Sequence, residues 1–288
     1  MPDSIEIVEV GPRDGLQNEP RPIPTEAKIA LIDALSGCGF RRIEAASFVA
    51  PGAVPQMADG AEVLAGIARA PGVRYAALAP NLKGYARAKA AGADEIAVFA
   101  SASEGFARAN LNASVAESMA RLAEVAQAAK ADGLALRGYL SCVIACPYDG
   151  PTAPAQVARG VAALVEMGCF EVSLGDTIGA GTPETVRAML FGAQGAAPPE
   201  TLAGHFHDTG GRALANVEAA MDLGLRVFDA AVGGLGGCPF APGAPGNVAT
   251  GALVARMEKL GVATGIDMGR LARAAALALD MRGDAEED

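Results

Sequence analysis

Two histidines separated by one residue are the clearest chemical signal in this sequence. His205 and His207 are the only histidines among the 288 residues, and they lie in the segment HFHDT. On a β-strand both imidazoles would leave the same face, about 6.6 Å apart along the backbone, which suits two ligands of one metal ion. The alternative is a pair of histidines satisfied by hydrogen bonds at a strand end. Because no other position uses this residue type, we favour metal ligation.

Oxygen ligands for the same ion could come from Asp14 and Asn247. Two imidazoles alone would tolerate zinc, but a carboxylate and an amide oxygen favour six-coordinate Mg²⁺ or Mn²⁺. The set contains no thiolate, which argues against a closed structural zinc site. Asp14 could instead cap a turn, and Asn247 could be the N-cap of a helix. Capping and ligation do not exclude each other.

Arg13 and Cys238 could act on a substrate beside the ion. Arg13 precedes Asp14 and would place a fixed cation where negative charge develops on a carbonyl oxygen. A surface salt bridge explains the dipeptide equally well. Cys238 follows the glycine-rich stretch GGLGG, and a thiol on such a loop is well placed for acid–base work. The competing interpretations are an inert buried cysteine and a phosphate-binding loop, although the Gly-Lys-Ser/Thr ending of a P-loop is missing.

A regular alternation of strands and helices must position these residues. Eight short apolar segments are each followed by a helical stretch, which predicts a single (β/α)₈ barrel over residues 1–281 and a charged, disordered tail at 282–288. An open, doubly wound sheet is the alternative, but the first loop, GPRDG, is not a G-x-G-x-x-G phosphate loop. The strand segments are 5–10, 41–46, 74–79, 95–100, 135–142, 171–175, 202–207 and 227–232.

The candidate residues fall where a barrel enzyme needs them, at or just after the C-terminal ends of strands. Strand one ends in Glu9 and leads to the Arg13–Asp14 pair, strand two carries Glu44, and strand seven carries both histidines. None of the five lysines lies at a predicted strand end, which excludes a Schiff-base aldolase. Helix starts are predicted at Ser114, in a capping box with Glu117, and at Thr182, ahead of Pro183.

Composition excludes several classes of protein. The net charge is −10 and the basic residues are scattered, so nucleic-acid binding is not expected. No signal segment or membrane-length apolar stretch is visible. Five cysteines do not form a disulfide framework and fit a reducing compartment, which predicts a cytoplasmic protein. Cys142 and Cys146 lack a second pair to complete a zinc site and are interpreted as structural.

Longer motifs closely resemble the hydroxymethylglutaryl-CoA lyase family, which belongs to the metal-dependent barrel lyases and synthases. The main ones are EVGPRDGLQNE at 9–19, HFHDT at 205–209 with ALAN at 213–216, and GGLGGCPFAPGAPGN at 233–247. The similarity continues through IEAASFVAP at 43–51, RGYLSC at 137–142 and SLGDTIGAGTP at 173–183. It therefore spans nearly the whole chain, and the cysteine loop is the motif most specific to the lyase branch.

The resemblance implies a barrel that binds Mg²⁺ or Mn²⁺ and cleaves 3-hydroxy-3-methylglutaryl-CoA (HMG-CoA) to acetyl-CoA and acetoacetate in leucine and ketone-body metabolism. Asp14 or His205 would be the base, Arg13 would stabilise the enolate, and Cys238 would protonate it. A small acyl-CoA partner and a homo-oligomer, a dimer or larger, are expected. The family's ligand pattern falls on Asp14, His205, His207 and Asn247, its arginine on Arg13, its loop cysteine on Cys238 and its acidic second-strand residue on Glu44.

Three departures from the family pattern concern substrate range. Positions 210–212 read Gly-Gly-Arg where the family usually has Tyr-Gly-Gln, and Phe240 replaces a tyrosine. Loss of a ring at Gly210 could enlarge the acyl pocket, so a related 3-hydroxy-3-alkylglutaryl-CoA is an alternative substrate. Two other functions stay open. One is a condensing synthase of the isopropylmalate or homocitrate type, which the cysteine loop disfavours; the other is a non-catalytic acyl-CoA-binding barrel.

Overall fold

A computed structural model describes residues 3–238 and 241–282 of the protein. Eight parallel strands form a closed barrel in the order β1-β8-β7-β6-β5-β4-β3-β2. The predicted (β/α)₈ barrel is confirmed, with every predicted strand found within three residues of its expected bounds. The strands are β1 (Glu6–Glu9), β2 (Arg42–Ser47), β3 (Arg74–Leu78), β4 (Glu95–Ser101), β5 (Ala135–Ser141), β6 (Glu171–Asp176), β7 (Leu202–Phe206) and β8 (Val227–Ala230).

Helices cover the outside of the barrel. The β4–β5 connection contains two helices, where one was expected, and two more follow β8 in the described part of the chain. Helix α10 ends at Arg282, and the rest of the predicted tail lies outside the described residues. The helices are α1 (Thr25–Ser36), α2 (Gly60–Gly66), α3 (Leu82–Ala90), α4 (Glu104–Leu111), α5 (Val115–Asp132), α6 (Pro154–Glu166), α7 (Pro183–Gln194), α8 (Ala213–Asp222), α9 (Thr250–Lys259) and α10 (Met268–Arg282).

Both predicted helix starts are confirmed by their side-chain caps. The Ser114 hydroxyl accepts a hydrogen bond from the Glu117 amide, and the Glu117 carboxylate accepts one from the Ser114 amide, so the capping box closes. Thr182 caps α7 in the same way through the Thr185 amide, with Pro183 in the first turn. In the described part of the chain, no helix combines the length and apolar character that crossing a bilayer would require.

The apolar core lies between the barrel and the helices, whereas the inside of the barrel is charged. Ile7, Ile43 and Phe228 are strand residues that belong to the core. Barrel interiors are usually filled by branched apolar side chains. Here buried Arg42 and Arg137 share the carboxylate of Glu171, with nitrogen–oxygen distances of 2.6 to 3.1 Å. Buried charges persist only when they are paired in this way.

Arg137 extends this network from the floor of the barrel to its mouth. Its Nη2 donates to Asp229 Oδ1 at 2.7 Å, and its Nη1 donates to the Tyr139 hydroxyl at 2.8 Å. Its Nε donates to Glu171, so all three nitrogens of one guanidinium bind groups on three different strands. The guanidinium is planar and rigid, and it therefore fixes the positions of these groups relative to one another.

Replacing Glu171 with Ala should destabilise the fold by about 3–5 kcal/mol, because two buried guanidinium groups lose their shared anion. Urea unfolding followed by circular dichroism measures the change. Glu124→Ala is the control, since Glu124 is exposed on α5, and surface substitutions of this kind change the free energy of unfolding by within about 0.5 kcal/mol. Equal midpoints for the two variants would contradict a stabilising role for the network.

Candidate metal centre and active site

A single π-helical turn, Gly11–Gly15, holds Arg13 and Asp14 over the mouth of the barrel. The amides of Arg13, Asp14 and Gly15 all donate to the Val10 carbonyl, at 2.8 to 3.2 Å. Such turns are rare and occur often at functional sites. Because the chain winds tightly directly after β1, the side chains of Arg13 and Asp14 point inward.

Asp14, His205 and His207 converge on one point. Their potential ligand atoms all lie within 4.8 Å of one another, and no other such group of His, Cys, Asp or Glu was found among the described residues. The two Nε2 atoms are 3.3 Å apart, and His205 Nε2 is 3.8 Å from Asp14 Oδ2. Metal–ligand bonds of about 2.1 Å in an octahedron put neighbouring ligand atoms about 3 Å apart, so the cluster has the spacing of a metal site.

The protonation of His207 and Asp14 also suits a cation. Burial lowers the pKa of His207 to about 4, so its imidazole is neutral, as a ligand must be. Burial acts to raise the pKa of Asp14, but Arg13 and the two imidazoles outweigh it and lower that pKa below its usual value. A neutral imidazole and an ionised carboxylate with closely spaced donor atoms are typical ligands of a divalent cation.

Asn247 joins the cluster from the last loop of the barrel. Its Nδ2 donates to Asp14 Oδ2 at 2.9 Å, and its backbone forms an antiparallel bridge with His207. A Cβ at Gly236 would lie 3.0 Å from this amide nitrogen and 3.1 Å from the Gly15 backbone. The absence of a side chain at Gly236 therefore lets the first and last loops approach closely, and all four predicted ligands come together.

Arg13 is held between carboxylates above a tyrosine ring. Its Nη2 lies 2.6 Å from Glu44 Oε2, and its Nη1 lies 2.7 Å from Asp14 Oδ1. Tyr139 donates its hydroxyl to the same Glu44 oxygen at 3.1 Å and lies with its ring 5.4 Å from the guanidinium carbon. Arg13 is therefore a buried, fixed cation, and its salt bridge with Asp14 is not the surface contact that the sequence left open as an alternative. Glu44 lies beside Arg13 and orients it.

Asp229 and Tyr139 were missing from the predicted site. Asp229 Oδ2 lies 3.1 Å from His205 Nδ1 and accepts a hydrogen bond from Ser173 at 2.7 Å. Burial alone would lower the pKa of His205, but the hydrogen bond and charge of Asp229 raise it. The sequence gives only a weak signal for Asp229. This residue interrupts the apolar strand VFDAAV, and strand alternation would place it on the same face as Ala231.

Cys238 lies in a hairpin that follows β8 in the chain and begins close to the cluster. Residues Gly237–Cys238 pair with Ala241–Pro245 in an antiparallel ladder. The side chain of Cys238 and all of Phe240 lie outside the described residues, so the predicted role of the thiol stays a prediction. The other four cysteines are free and buried, and Cys142 and Cys146 pack with Phe106 in a small cluster.

A cavity of about 1040 Å³ opens from the cluster. Arg13, Asp14, Tyr139 and both histidines line its inner end. Part of its wall is apolar, and this apolar wall consists of Val49 in the loop after β2 and of Leu78, Phe99 and the Tyr139 ring on the next three strands. Such a combination of an apolar wall and a few convergent polar groups is typical of a small-molecule site.

The predicted widening at Gly210 is not found in the wall of this cavity. Neither Gly210 nor Arg212 lines it. A Cβ at Gly210 would lie 2.6 Å from an Arg212 nitrogen, so the guanidinium occupies the adjoining space. Arg212 Nε donates to the Gly181 carbonyl at 2.9 Å, which ties the start of α8 to the loop before α7.

The barrel and its cluster together define a (β/α)₈ protein with a candidate metal centre at its mouth. A family model described as HMGL-like matches residues 4–278, and the chain belongs to this family. A Pseudomonas aeruginosa relative, 3-hydroxy-3-isohexenylglutaryl-CoA/hydroxymethylglutaryl-CoA lyase, is 53% identical over 268 residues, covering 93% of this chain and 89% of that protein.

Two solved structures have the same fold over nearly their whole length. The HMG-CoA lyase of Brucella melitensis is 60% identical, with a TM-score of 0.97 over 98% of this chain and 100% of that one. An HMG-CoA lyase of Acinetobacter baumannii, in complex with coenzyme A and 3-methylmalate, is 41% identical, with a TM-score of 0.92 over 98% and 92%.

Replacing Asp229 with Asn should weaken Mn²⁺ binding about 10–100-fold, because His205 loses the anion that orients its ring. Isothermal titration with Mn²⁺ measures the affinity, and thermal unfolding checks that the variant is folded. Asp222→Asn is the matched control, since Asp222 is exposed at the end of α8 and pairs only with Arg187 in the described contacts. A folded Asp229 variant with the affinity of the parent protein would contradict this role.

Proposed function

We propose that the protein cleaves HMG-CoA, or a close 3-hydroxy-3-alkylglutaryl-CoA, to acetyl-CoA and the corresponding 3-oxo acid. The observation that carries the proposal is the convergence of Asp14, His205 and His207 beside the fixed cation Arg13. Family membership and the lyase relatives give the reaction class. A condensing synthase would use a similar centre, but the cysteine loop favours the lyase.

We assign Mg²⁺ or Mn²⁺ to this centre, with Asp14, His205, His207 and Asn247 as ligands. When bound, such an ion supplies Lewis acidity to oxygen atoms of the substrate and lowers the pKa of a tertiary hydroxyl. Asp229 supports the assignment, because it holds His205 by Nδ1 and leaves Nε2 facing Asp14 and His207. Ligands with an anchored second nitrogen are typical of metal histidines.

The bond that breaks joins C2 and C3 of the acyl group. A base, Asp14 or His205, takes the proton of the C3 hydroxyl, C3 becomes the ketone of the oxo acid, and the electron pair passes to C2 and the thioester oxygen. Arg13 stabilises the resulting enolate, because Glu44 and Asp14 hold its guanidinium at the inner end of the cavity. Cys238 then gives a proton to C2, which completes acetyl-CoA.

The substituent at C3 is expected to face the apolar wall. Val49, Leu78 and Phe99 offer no partner for a charged group, whereas they can bury an alkyl chain. The Pseudomonas relative is named for a methyl and an isohexenyl substrate, which supports testing longer chains here. Coenzyme A in the Acinetobacter structure supports a CoA thioester as the partner.

We also propose a homo-oligomer in a reducing, cytoplasmic compartment. The compartment is supported by the free, buried thiols of Cys38, Cys142, Cys146 and Cys169. The oligomer rests on the family alone, and light scattering of the purified protein tests it.

The proposed reaction predicts metal-dependent formation of acetyl-CoA and an oxo acid. The purified protein should turn over HMG-CoA with Mg²⁺ or Mn²⁺, and activity should vanish with a chelator and return when metal is added in excess. Mass spectrometry of the products from methyl, butyl and isohexenyl homologues sets the acyl range. Binding of these thioesters without any cleavage would favour a non-catalytic barrel, and condensation without cleavage would favour a synthase.

Replacing Arg13 with Met should lower kcat about 10²–10³-fold with a smaller effect on KM, because the arginine acts mainly on charge that develops in the transition state. Steady-state kinetics with HMG-CoA measure both constants. Arg69→Met is the control, since Arg69 is a surface residue that pairs with Asp94. A change in KM alone would reassign Arg13 to substrate binding.

A further inference from the structure

Glu9 is a buried carboxylate that lies outside the cavity. It is completely buried. By strand alternation it lies on the same face of β1 as Ile5 and Ile7, which belong to the apolar core between the barrel and the helices. Charged residues are rarely placed in such a layer unless they are paired, and no salt bridge with Glu9 is found among the described residues. Its position therefore needs a reason other than substrate contact.

Each oxygen of this carboxylate accepts hydrogen bonds from a loop of the candidate site. Oε1 accepts hydrogen bonds from the backbone amides of Gly11 and Val232, both at 2.8 Å. Oε2 accepts the hydroxyl of Thr250 at 2.7 Å. Hydrogen bonds to a carboxylate are stronger than bonds between neutral groups.

These three donors lie on three segments that carry site residues. Gly11 begins the π-helical turn of Arg13 and Asp14. Val232 begins the turn after β8 that leads to the Cys238 hairpin. Thr250 is the first residue of α9, three residues after Asn247.

The sequence around Glu9 is fitted to this arrangement. A Cβ at Gly11 would lie 2.6 Å from Glu9 Oε1, so a side chain there would displace the carboxylate. The Thr250 amide also donates to the Ala231 carbonyl, which holds the start of α9 beside the end of β8. The carboxylate thus joins segments that are adjacent in space and far apart in the chain.

We infer that Glu9 is a positioning residue, which sets the spacing of Asp14 and Asn247 by joining the three loops that carry the site. It acts from behind the barrel wall, through Gly11, Val232 and Thr250, and touches neither substrate nor metal. The inference rests on the proposed metal centre, but it does not depend on which acyl-CoA the protein cleaves.

The test compares Mn²⁺ binding by the full-length protein carrying Glu9→Ala or Glu9→Gln. Ala removes both acceptor oxygens, and with them all three hydrogen bonds, and should weaken binding about tenfold or more, as the loss of an outer-shell partner does. Gln can still accept two amides with its oxygen and donate to Thr250 with its nitrogen, so it should keep most of the affinity. Mn²⁺ affinity measured by electron paramagnetic resonance needs no substrate, and it therefore separates a failure of this inference from a failure of the proposed reaction.

Glu95→Ala is the matched control, since Glu95 is an equally buried carboxylate at the opposite end of the barrel. Loss of affinity with Glu9→Ala but not with Glu95→Ala supports the inference. Equal losses in both would assign the effect to general destabilisation and overturn it, as would parent-like affinity in a folded Glu9→Ala variant.

If Glu9→Ala does not fold, Thr250→Val carries the test. This change removes only the hydroxyl partner of Oε2, so it should weaken Mn²⁺ binding several-fold, and unchanged affinity would overturn the inference. Amide hydrogen exchange gives a second readout for Glu9→Ala and Glu9→Gln. Gly11 and Val232 should exchange faster in Glu9→Ala and at the parent rate in Glu9→Gln, and unaltered exchange in the Ala variant would contradict the contacts on which the inference rests.

Discussion

The candidate site depends above all on the ion pairs inside the barrel. A hydrophobic interior would hold the strands together, but it would leave His205 without a fixed orientation. Arg137 instead binds Glu171 below and Asp229 above, and Asp229 in turn holds the imidazole. Asp229 is completely buried, but its ion pair with Arg137 lowers its pKa well below the usual value. The carboxylate therefore stays ionised beside the His205 ring. The charge pairs thus join the stability of the barrel to the geometry of its mouth.

Two shells of polar contacts surround the cluster, and they serve different purposes. Inside the barrel, Asp229 and Glu44 orient the groups that face the cavity, His205 and Arg13. Outside it, the contacts of Glu9 join the loops that carry those groups. Burial raises the pKa of Glu9 to about 7 even though its three hydrogen bonds act to lower it, which shows how strongly the apolar layer opposes a charge there. A carboxylate kept in so unfavourable a place is consistent with a role that an apolar residue could not fill.

The sequence predicted the barrel and the convergence of the candidate ligands well, and it predicted the residues that support them poorly. Strand positions follow from apolar segments and their spacing, and the histidine pair is conspicuous because the residue type occurs nowhere else. Asp229 was missed because an acidic residue in a strand can face inward or outward, and only the closed barrel shows which. The burial of Arg13 against Glu44 was likewise not predictable, since it depends on the π-helical turn after β1. The chemistry expected of Cys238 still rests on the family resemblance.

The candidate ligands come from both ends of the chain. Asp14 and Asn247 are 233 residues apart, yet they meet across the seam where β1 pairs with β8. A nascent chain contains Asp14 and both histidines before β8 is made, but Asp14 can meet Asn247 only when β1 pairs with β8. Completion of the proposed metal site would therefore coincide with closure of the barrel, so that folding of the last strand would also assemble the site.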